Sequence, residues 1–560
     1  MSTRAASDPT LDIPIPVAIV GGGPVGMVLA MQLSRLGVRS VILNAEQDTR
    51  WHPKGNTHNA RTMELYRRLG LSSRVRAVGL PDDHPTDVLY STRLGGEELA
   101  RIVMPSEREK QQQLAAGSAT DPGPEPIFRA NQMYVEQILF EQLRAESLVD
   151  MRFGWTAISF EDQSDSVVVV GEQASTGRRS TWRAAYLVGC DGGGGSVRRQ
   201  LGIRYEGSSS LDQPFFGGDM VATYVRAPEL YRDVFKGRRA WQYWVLNPDV
   251  RTALVALDGK DEFQVMSRMP EGRDKPDDAS VVKTLQRAAN RRLDVKILSH
   301  GRWKGGVALV TERYGAGRVL LAGDSVHLFT PTGGFGMNTG IEDTGSLAWK
   351  LAGAVQGWGG PTLIASYERE RMPIGRRNTS ASFALAKSVG ALNVPAHLEE
   401  ASARGIDARR ELGVALGGFG EEFASIGVQL GARYDDSPII VGDGSTPPLD
   451  DFVTYTPSAV PGGRAPHVWL APGVSLYDRF DVGFTLLRFG GGRAPSVSRF
   501  EQVARARGVP LLVLDLDSAT ARDLYERDLV LIRPDLIIAW RGNQLPADAD
   551  ALLARVTGRF

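Results

Sequence analysis

Residues 17–43 constrain this chain more than any other stretch: a short apolar run, a glycine-dense turn, an apolar-periodic stretch and a second apolar run follow in that order. Val17-Ala18-Ile19-Val20 has the length and composition of a parallel strand buried on both faces. Gly21-Gly22-Gly23-Pro24-Val25-Gly26 comes next, and Met27 to Leu36 carries apolar side chains at helical spacing until Gly37 stops it. Val38 to Leu43 is a second apolar strand. A GxGxxG turn between strand and helix is the arrangement that receives the pyrophosphate of a dinucleotide. Gly21 allows the tight turn, Gly23 lets the backbone approach the phosphates, and Gly26 lets helix and strand pack closely. Amides at the helix start, around Pro24, face the phosphates. The ribose is held at the end of the second strand, where Asn44 stands and Glu46 follows two residues later; either side chain can do this.

Glycine makes up 63 of 560 residues, roughly 11% against an ordinary ~7%. Thirteen of these 63 fall at Gly21, Gly22, Gly23, Gly26, Gly192 to Gly195, Gly323, Gly333, Gly334, Gly336 and Gly340, in three separated motifs. The one cysteine, Cys190, excludes an intrachain disulfide, a Cys-x-x-Cys pair and any multi-thiolate metal site. The seven histidines include no HExxH pattern, and no metal site is expected. Lys+Arg and Asp+Glu balance at 65 each, which argues against nucleic-acid or membrane binding by bulk charge. Ile13 to Leu33 is apolar, but its glycines and proline, with Asp8 and Asp12 upstream, fit neither a signal peptide nor a membrane helix. A soluble, cytoplasmic protein is expected.

Two further strands end in acidic motifs. Tyr186 to Cys190 runs into Asp191-Gly192, and Arg318 to Ala322 runs into Gly323-Asp324, followed by Ser325-Val326-His327, the stretch PTGGFGMN from Pro331 to Asn338, and a helix from Ile341 to Val355. Ligands of open α/β sheets bind at such strand ends. A strand-end Asp also commonly caps the following turn or helix. Ser325, His327 and Asp324 lie too close in sequence to form a hydrolytic relay, and there is no GxSxG elbow.

With GxGxxG, Asp191-Gly192, Gly323-Asp324 and the segment GDSVHLFTPTGGFGMNTGIEDTGSLAWKLA in this order, the chain resembles the FAD-dependent aromatic hydroxylases, single-component flavoprotein monooxygenases with the para-hydroxybenzoate hydroxylase fold. The resemblance covers roughly residues 15 to 400 and, less sharply, the C-terminal region. It implies an α/β architecture: a Rossmann-like FAD-binding unit over 14–400 interleaved with a β-sheet substrate unit at approximately 85–125 and 206–300. A tail over 1–13 is expected to be disordered, 401–435 to be a helical linker, and 436–560, which alternates strand and helix without a cysteine, to be a thioredoxin-like domain with a structural or oligomer-interface role.

The resemblance also assigns residues. Asp324 corresponds to the aspartate that bonds the flavin's ribityl chain, and the loop from Gly334 through Phe335, Gly336 and Met337 to Asn338 to the amides at the pyrimidine edge, where reduced flavin carries negative charge. Asp191 corresponds to a residue that helps close the pocket and is linked to pyridine nucleotide use. Lys54 stands where relatives usually have Arg, a pyrophosphate contact; Gln132 matches a glutamine near the phosphates; Pro331 matches the proline beside the reactive edge. Asn44 where an acid is usual, Lys54, and Gly194-Gly195 in place of Arg-Ser are departures.

The activity implied is hydroxylation of a phenolic or other electron-rich aromatic small molecule by NAD(P)H, FAD and O2 through a flavin hydroperoxide, in tailoring of a natural product. The alternatives are a catabolic (chloro)phenol hydroxylase, a flavin-dependent halogenase, for which Trp241-Gln242-Tyr243-Trp244 lacks the Trp-x-Trp-x-Ile-Pro signature, and a non-catalytic flavin-binding partner. Asn56, His58 and Tyr243 are candidates for acting on the substrate hydroxyl, His58 for its reference pKa; Trp241 and Phe216 are candidates for the pocket wall. The Gln- and Pro-containing stretch Glu107 to Pro126 reads as a mobile loop and a lid. A homo-oligomer would form through the C-terminal unit.

Overall fold

A computed structural model describes residues 15–49, 51–116, 122–211, 213, 217–269, 276–491 and 494–560. The expected tail over 1–13, Phe216 and residues 117–121 of the stretch read as a lid lie outside them.

The strand-turn-helix expected at the start is present as Ile15–Val20 and Pro24–Arg35, followed by the strand Ser40–Asn44. These belong to an eight-stranded sheet in which Ile15–Val20 lies between Ser40–Asn44 and Arg179–Gly189, with Val319–Leu321 beside the latter, all parallel. The register sets the site. Val20 pairs with Gly189, and Gly189 with Leu321, so three strands far apart in sequence end at one level. Cys190 N–H donates to Val20 O (2.7 Å) and Ala322 N–H to Gly189 O (3.0 Å), extending the ladder to the motifs themselves. Gly26 is obligatory here because a Cβ on it would lie 2.0 Å from Gly21 O.

A second sheet of seven strands runs Lys296–Gly305, Gly218–Arg226, Glu262–Arg268, Arg251–Ala256, Gln242–Leu246, Val88–Ser91, Glu98–Ile102. It is antiparallel except where Val88–Ser91 joins Gln242–Leu246 in parallel. Its outer face packs Tyr243, Phe263 and Val265 with Leu285 of the helix Asp278–Ala289. Its other face carries Gln242, Val255, Gln264, Met266 and Ala222 towards the first sheet.

The Glu107 to Pro126 stretch departs from its expected character. Glu107–Ala115 is a helix with a Ser106/Glu109 capping box, held by Arg76 on Glu107 (2.7 Å) and by Lys110 Nζ on Ile127 O (2.9 Å). The reciprocal cap outweighs the polar composition, and none of its described residues borders the cavity below. The helix expected from Ile341 starts at Phe335, so Phe335 to Asn338 form its first turn rather than a loop.

The C-terminal unit has a four-stranded sheet ordered Leu511–Leu516, Phe484–Phe489, Leu529–Ile532, Ile538–Gly542, the first pair parallel and the others antiparallel, which is thioredoxin-like topology. It shares one core with the first unit, where Phe484 meets Trp349 and Trp358. Buried charges cross the same boundary. Arg533, fully buried, donates to both oxygens of Glu370 (2.6 and 2.9 Å), which also receives Lys350 Nζ (2.5 Å). Burial opposes the charge on Glu370, but Arg533 and Lys350 outweigh it and hold the carboxyl at about 2.

Glu370→Gln leaves two buried cations short of a counter-charge, for which a loss of about 3–5 kcal/mol is expected. Urea unfolding checks this; a change under about 1 kcal/mol would show that the cluster is not what docks the C-terminal unit.

Candidate functional site

The three motifs border a single cavity of about 1000 Å³ between the two sheets. Of the residues singled out in the sequence, Gly21, Gly23, Pro24, Asn44, Glu46, Lys54, Asn56, Gln132, Asp191, Asp324, Pro331, Gly334, Phe335, Gly336 and Met337 all border it. Gly23 precedes the helix Pro24–Arg35, whose first turn has no side-chain cap, and a Cβ on Gly23 would meet no protein atom within 4 Å. A backbone exposed in this way at an uncapped helix start suits a phosphate group. The helix Phe335–Val355 likewise starts beside the cavity, at Gly334, without a side-chain cap.

Several of these residues serve the cavity by holding other parts in place. Asn44 Oδ1 accepts from Gly22 N–H (2.9 Å) and its amide donates to Glu46 O (3.1 Å), bracing the glycine turn. Asp191 accepts from Val197 N–H (3.1 Å), Ser196 Oγ and Ser325 Oγ, capping the helix Ser196–Gln200 and joining the second motif to the third. Gln132 donates to Glu136 (2.5 Å) while its backbone N–H bonds Gly55 O (2.7 Å). Asn56 donates to Gln264 Oε1 (2.9 Å) and accepts from Asn131 (2.6 Å), bracketing the second sheet against the first unit. Asp324 borders the cavity; desolvation raises its carboxyl above the ordinary range, with His327 and Lys54 opposing.

Gly26, Gly323 and Asn338 stand behind the wall. Gly26 packs helix on strand, Gly323 N–H donates to Asp343 (3.0 Å), and the Asn338 side chain links Asn59 N–H (2.9 Å) to Thr57 O (2.9 Å).

Two candidates for acting on a substrate are displaced. His58 is fully buried, in strand-like pairing with Phe128 and near the ring of Tyr66 (5.8 Å), and burial pushes its imidazole down to about 3. It is a neutral core residue. Tyr243 lies one residue past Gln242, so the pleat turns it to the opposite face. There it stacks on Phe235 (3.8 Å) and its hydroxyl accepts from Ala240 N–H (2.8 Å). Trp241, just before that strand, does border the cavity. The Ser325, His327 and Asp324 cluster forms no relay: Ser325 bonds Asp191, and His327 bonds Asp343 (2.8 Å).

The structure adds wall residues that no motif announces. Arg129 lies over the ring of Trp241 (4.4 Å) and donates to Thr57 Oγ1 (2.6 Å); burial lowers its guanidinium to about 10. Glu422, at the end of the turn Gly418–Glu422, is raised by burial to about 7 despite Gly333 N–H and Arg129. Phe423, Gln264 and Met266 complete this end. The burial of Cys190 pushes its thiol pKa up, against any thiolate role.

A dinucleotide turn, two acidic strand ends and a second sheet closing one cavity define a protein built to hold a dinucleotide and a small molecule together. Comparison with known proteins agrees. Residues 14–382 match the FAD binding domain family, and residues 458–559 match the aromatic-ring hydroxylase C-terminal domain. The FAD-dependent monooxygenase apdD of Emericella nidulans is 32% identical, covering 97% of this chain and 90% of that protein. Among solved structures, RebC with bound 7-carboxy-K252c matches at a TM-score of 0.87 with 33% identity, covering 98% of this chain and 100% of that one. The flavin-dependent monooxygenase PieE, in complex with FAD and substrate, matches at 0.86 with 28% identity, covering 98% and 100%. The chain belongs to the FAD-dependent aromatic-ring hydroxylase family of monooxygenases, whose typical reductant is NAD(P)H.

Tyr243→Phe removes the acceptor for Ala240 N–H and the donor to Arg238 O, and is expected to cost about 1–3 kcal/mol of stability and to leave ligand affinity unchanged. Denaturation and ligand titration check this; a tenfold affinity loss would return Tyr243 to the site.

Proposed function

We propose that this protein hydroxylates a phenolic or other electron-rich aromatic small molecule in the tailoring of a natural product. The observation that carries this is the shared cavity: Gln264 and Met266 of the second sheet, with Trp241 just before its strand Gln242–Leu246, border the same space as the three cofactor motifs. The likeness to RebC, a rebeccamycin biosynthetic enzyme that holds 7-carboxy-K252c, favours a natural-product ligand over a small catabolic phenol.

The residues fit FAD in the following way. With Gly21 N–H bonded to Leu43 O, Gly22 N–H bonded to Asn44 and no donor on Pro24, the N–H groups of Gly23 and Val25 at the helix start take the pyrophosphate, with Lys54 and Gln132 alongside. Asn44 is committed to Gly22, which leaves the ribose to Glu46. Asp324 takes the ribityl hydroxyls, and the helix start at Gly334 to Met337 stabilises negative charge on the ring system. Bound FAD supplies the redox chemistry, accepting reducing equivalents from NAD(P)H and activating dioxygen so that one oxygen atom reaches the aromatic ring. The protein's share is orientation and exclusion of water. Trp241 and Phe423, edge to face at 6.2 Å, with Met266 form an apolar wall for the ring, and Pro331 marks the boundary between this wall and the cofactor loop. Reliance on NAD(P)H favours a cytoplasmic setting.

Asp324→Ala is expected to lower FAD retention at least tenfold, read as the flavin-to-protein absorbance ratio after gel filtration; parent-like retention contradicts the assignment. A screen of phenols and fused aromatic hydroxy compounds is expected to find one that accelerates NAD(P)H oxidation and gains one oxygen in mass. A yellow protein whose NAD(P)H oxidation no such compound accelerates would overturn the hydroxylase reading.

A further inference from the structure

Glu422 is nine-tenths buried and borders the cavity between the cofactor loop and the substrate end. Its Oε1 accepts from the N–H (3.1 Å) of Gly333, whose φ of 78° favours glycine. Its Oε2, also buried, has no hydrogen-bond partner in the protein. A buried carboxylate oxygen without a donor is costly, and because the Glu422 side chain borders the cavity, a turn of its carboxyl brings Oε2 out to a donor on whatever fills that space. The charged and titratable groups that act on it are the Arg129 guanidinium and the Tyr90 phenol, whose buried hydroxyl also lacks a partner. Arg129 is itself a wall residue, its guanidinium lying over the Trp241 ring (4.4 Å).

We propose that Glu422 accepts the hydroxyl proton of the aromatic ligand and that Arg129 holds the oxygen left behind. The ligand O–H bond breaks with its electron pair staying on the ring oxygen. The proton forms a new bond to Glu422 Oε2, and the negative charge passes from carboxylate to phenolate, so no charge leaves the site. This rests on the reading of the cavity as a site for an aromatic hydroxyl compound. Burial supports the exchange: a carboxyl raised to about 7 is a far better match to a phenol than an ordinary one. An anionic ring oxygen beside a desolvated guanidinium is a charge-assisted pair, stronger than a neutral hydrogen bond. The electron-richer phenolate is also the form that accepts an oxygen atom more readily.

The test uses FAD-loaded protein and 2-naphthol, which is neutral in water about one pH unit above the Glu422 value of about 7 and absorbs differently when ionised. Absorbance reports the state of the bound ligand. Calorimetry in buffers of different ionisation enthalpy reports protons shed. The parent is expected to bind 2-naphtholate while releasing no proton, because the proton stays on Glu422. Glu422→Gln, with FAD content unchanged, is expected either to bind neutral 2-naphthol or to release one proton for each ligand ionised. Arg129→Gln is expected to weaken binding of the ionised ligand at least tenfold, and decides the matter with the parent if the first variant does not fold. A parent that binds neutral 2-naphthol or sheds the proton to buffer overturns the proposal alone, as does a Glu422→Gln variant indistinguishable from the parent. A parent that holds FAD yet binds no 2-naphthol or other aromatic hydroxy compound overturns the underlying reading as well.

Discussion

The carboxylate of Asp343, fully buried, is the point on which the geometry of the site depends. It accepts from Gly323 N–H (3.0 Å), His327 Nε2 (2.8 Å) and Arg371 Nε (2.8 Å). Burial works against its charge, but His327 and Arg371 outweigh it and hold the carboxyl below its ordinary range. A buried anion with this many donors is a rigid fixture, since moving any one donor leaves charge unpaired in a low-dielectric interior. Through it the turn carrying Asp324 is pinned to the helix whose start, Gly334 to Met337, forms the opposite wall. Arg371 extends the fixture to the Thr339 carbonyl (3.2 Å) and the Tyr434 hydroxyl (3.1 Å), so the approach to the C-terminal unit is tied to the same node.

The C-terminal unit is accordingly part of the machinery's foundation. Arg464 pairs with Glu64, Arg61 bonds the Asp535 carbonyl (2.5 Å), and Arg533 with Glu370 anchors the opposite end. These ions lie inside the chain, at the seam between its units. The seam backs the helix Ala60–Arg68, which directly follows the cavity-lining segment from Lys54 to Thr57. The unit contains no cysteine, and its sheet packs into one core with the first unit.

What the sequence discloses follows the range of the forces involved. The turn at Gly21 to Gly26 and the two acidic strand ends are local patterns, and parallel pairing in register brings them together as expected. Tyr243 was beyond reach of such reasoning because a shift of one residue along a strand exchanges the faces of a sheet, and only the pairing of Gln242 with Val255 fixes that phase. His58 has the composition of a loop residue, but the bridge to Phe128 draws it inside. Glu422 and Arg129 belong to no motif; they meet because a turn after the linker helix and the segment before Gln132 close on the same space. The one signal passed over that was present locally is Ser106 with Glu109, a capping box hidden by the glutamines after it.

The proposed FAD site joins three separated motifs against the inner face of the second sheet. Hydrogen exchange of the protein with and without FAD tests it most directly. Joint slowing of amides in residues 21–26, 191–195, 323–325 and 333–338 on FAD binding, with the outward strand faces around Tyr243 unchanged, is the predicted result. Protection confined to residues 21–46, with the Asp191 and Asp324 turns indifferent to FAD, would contradict it.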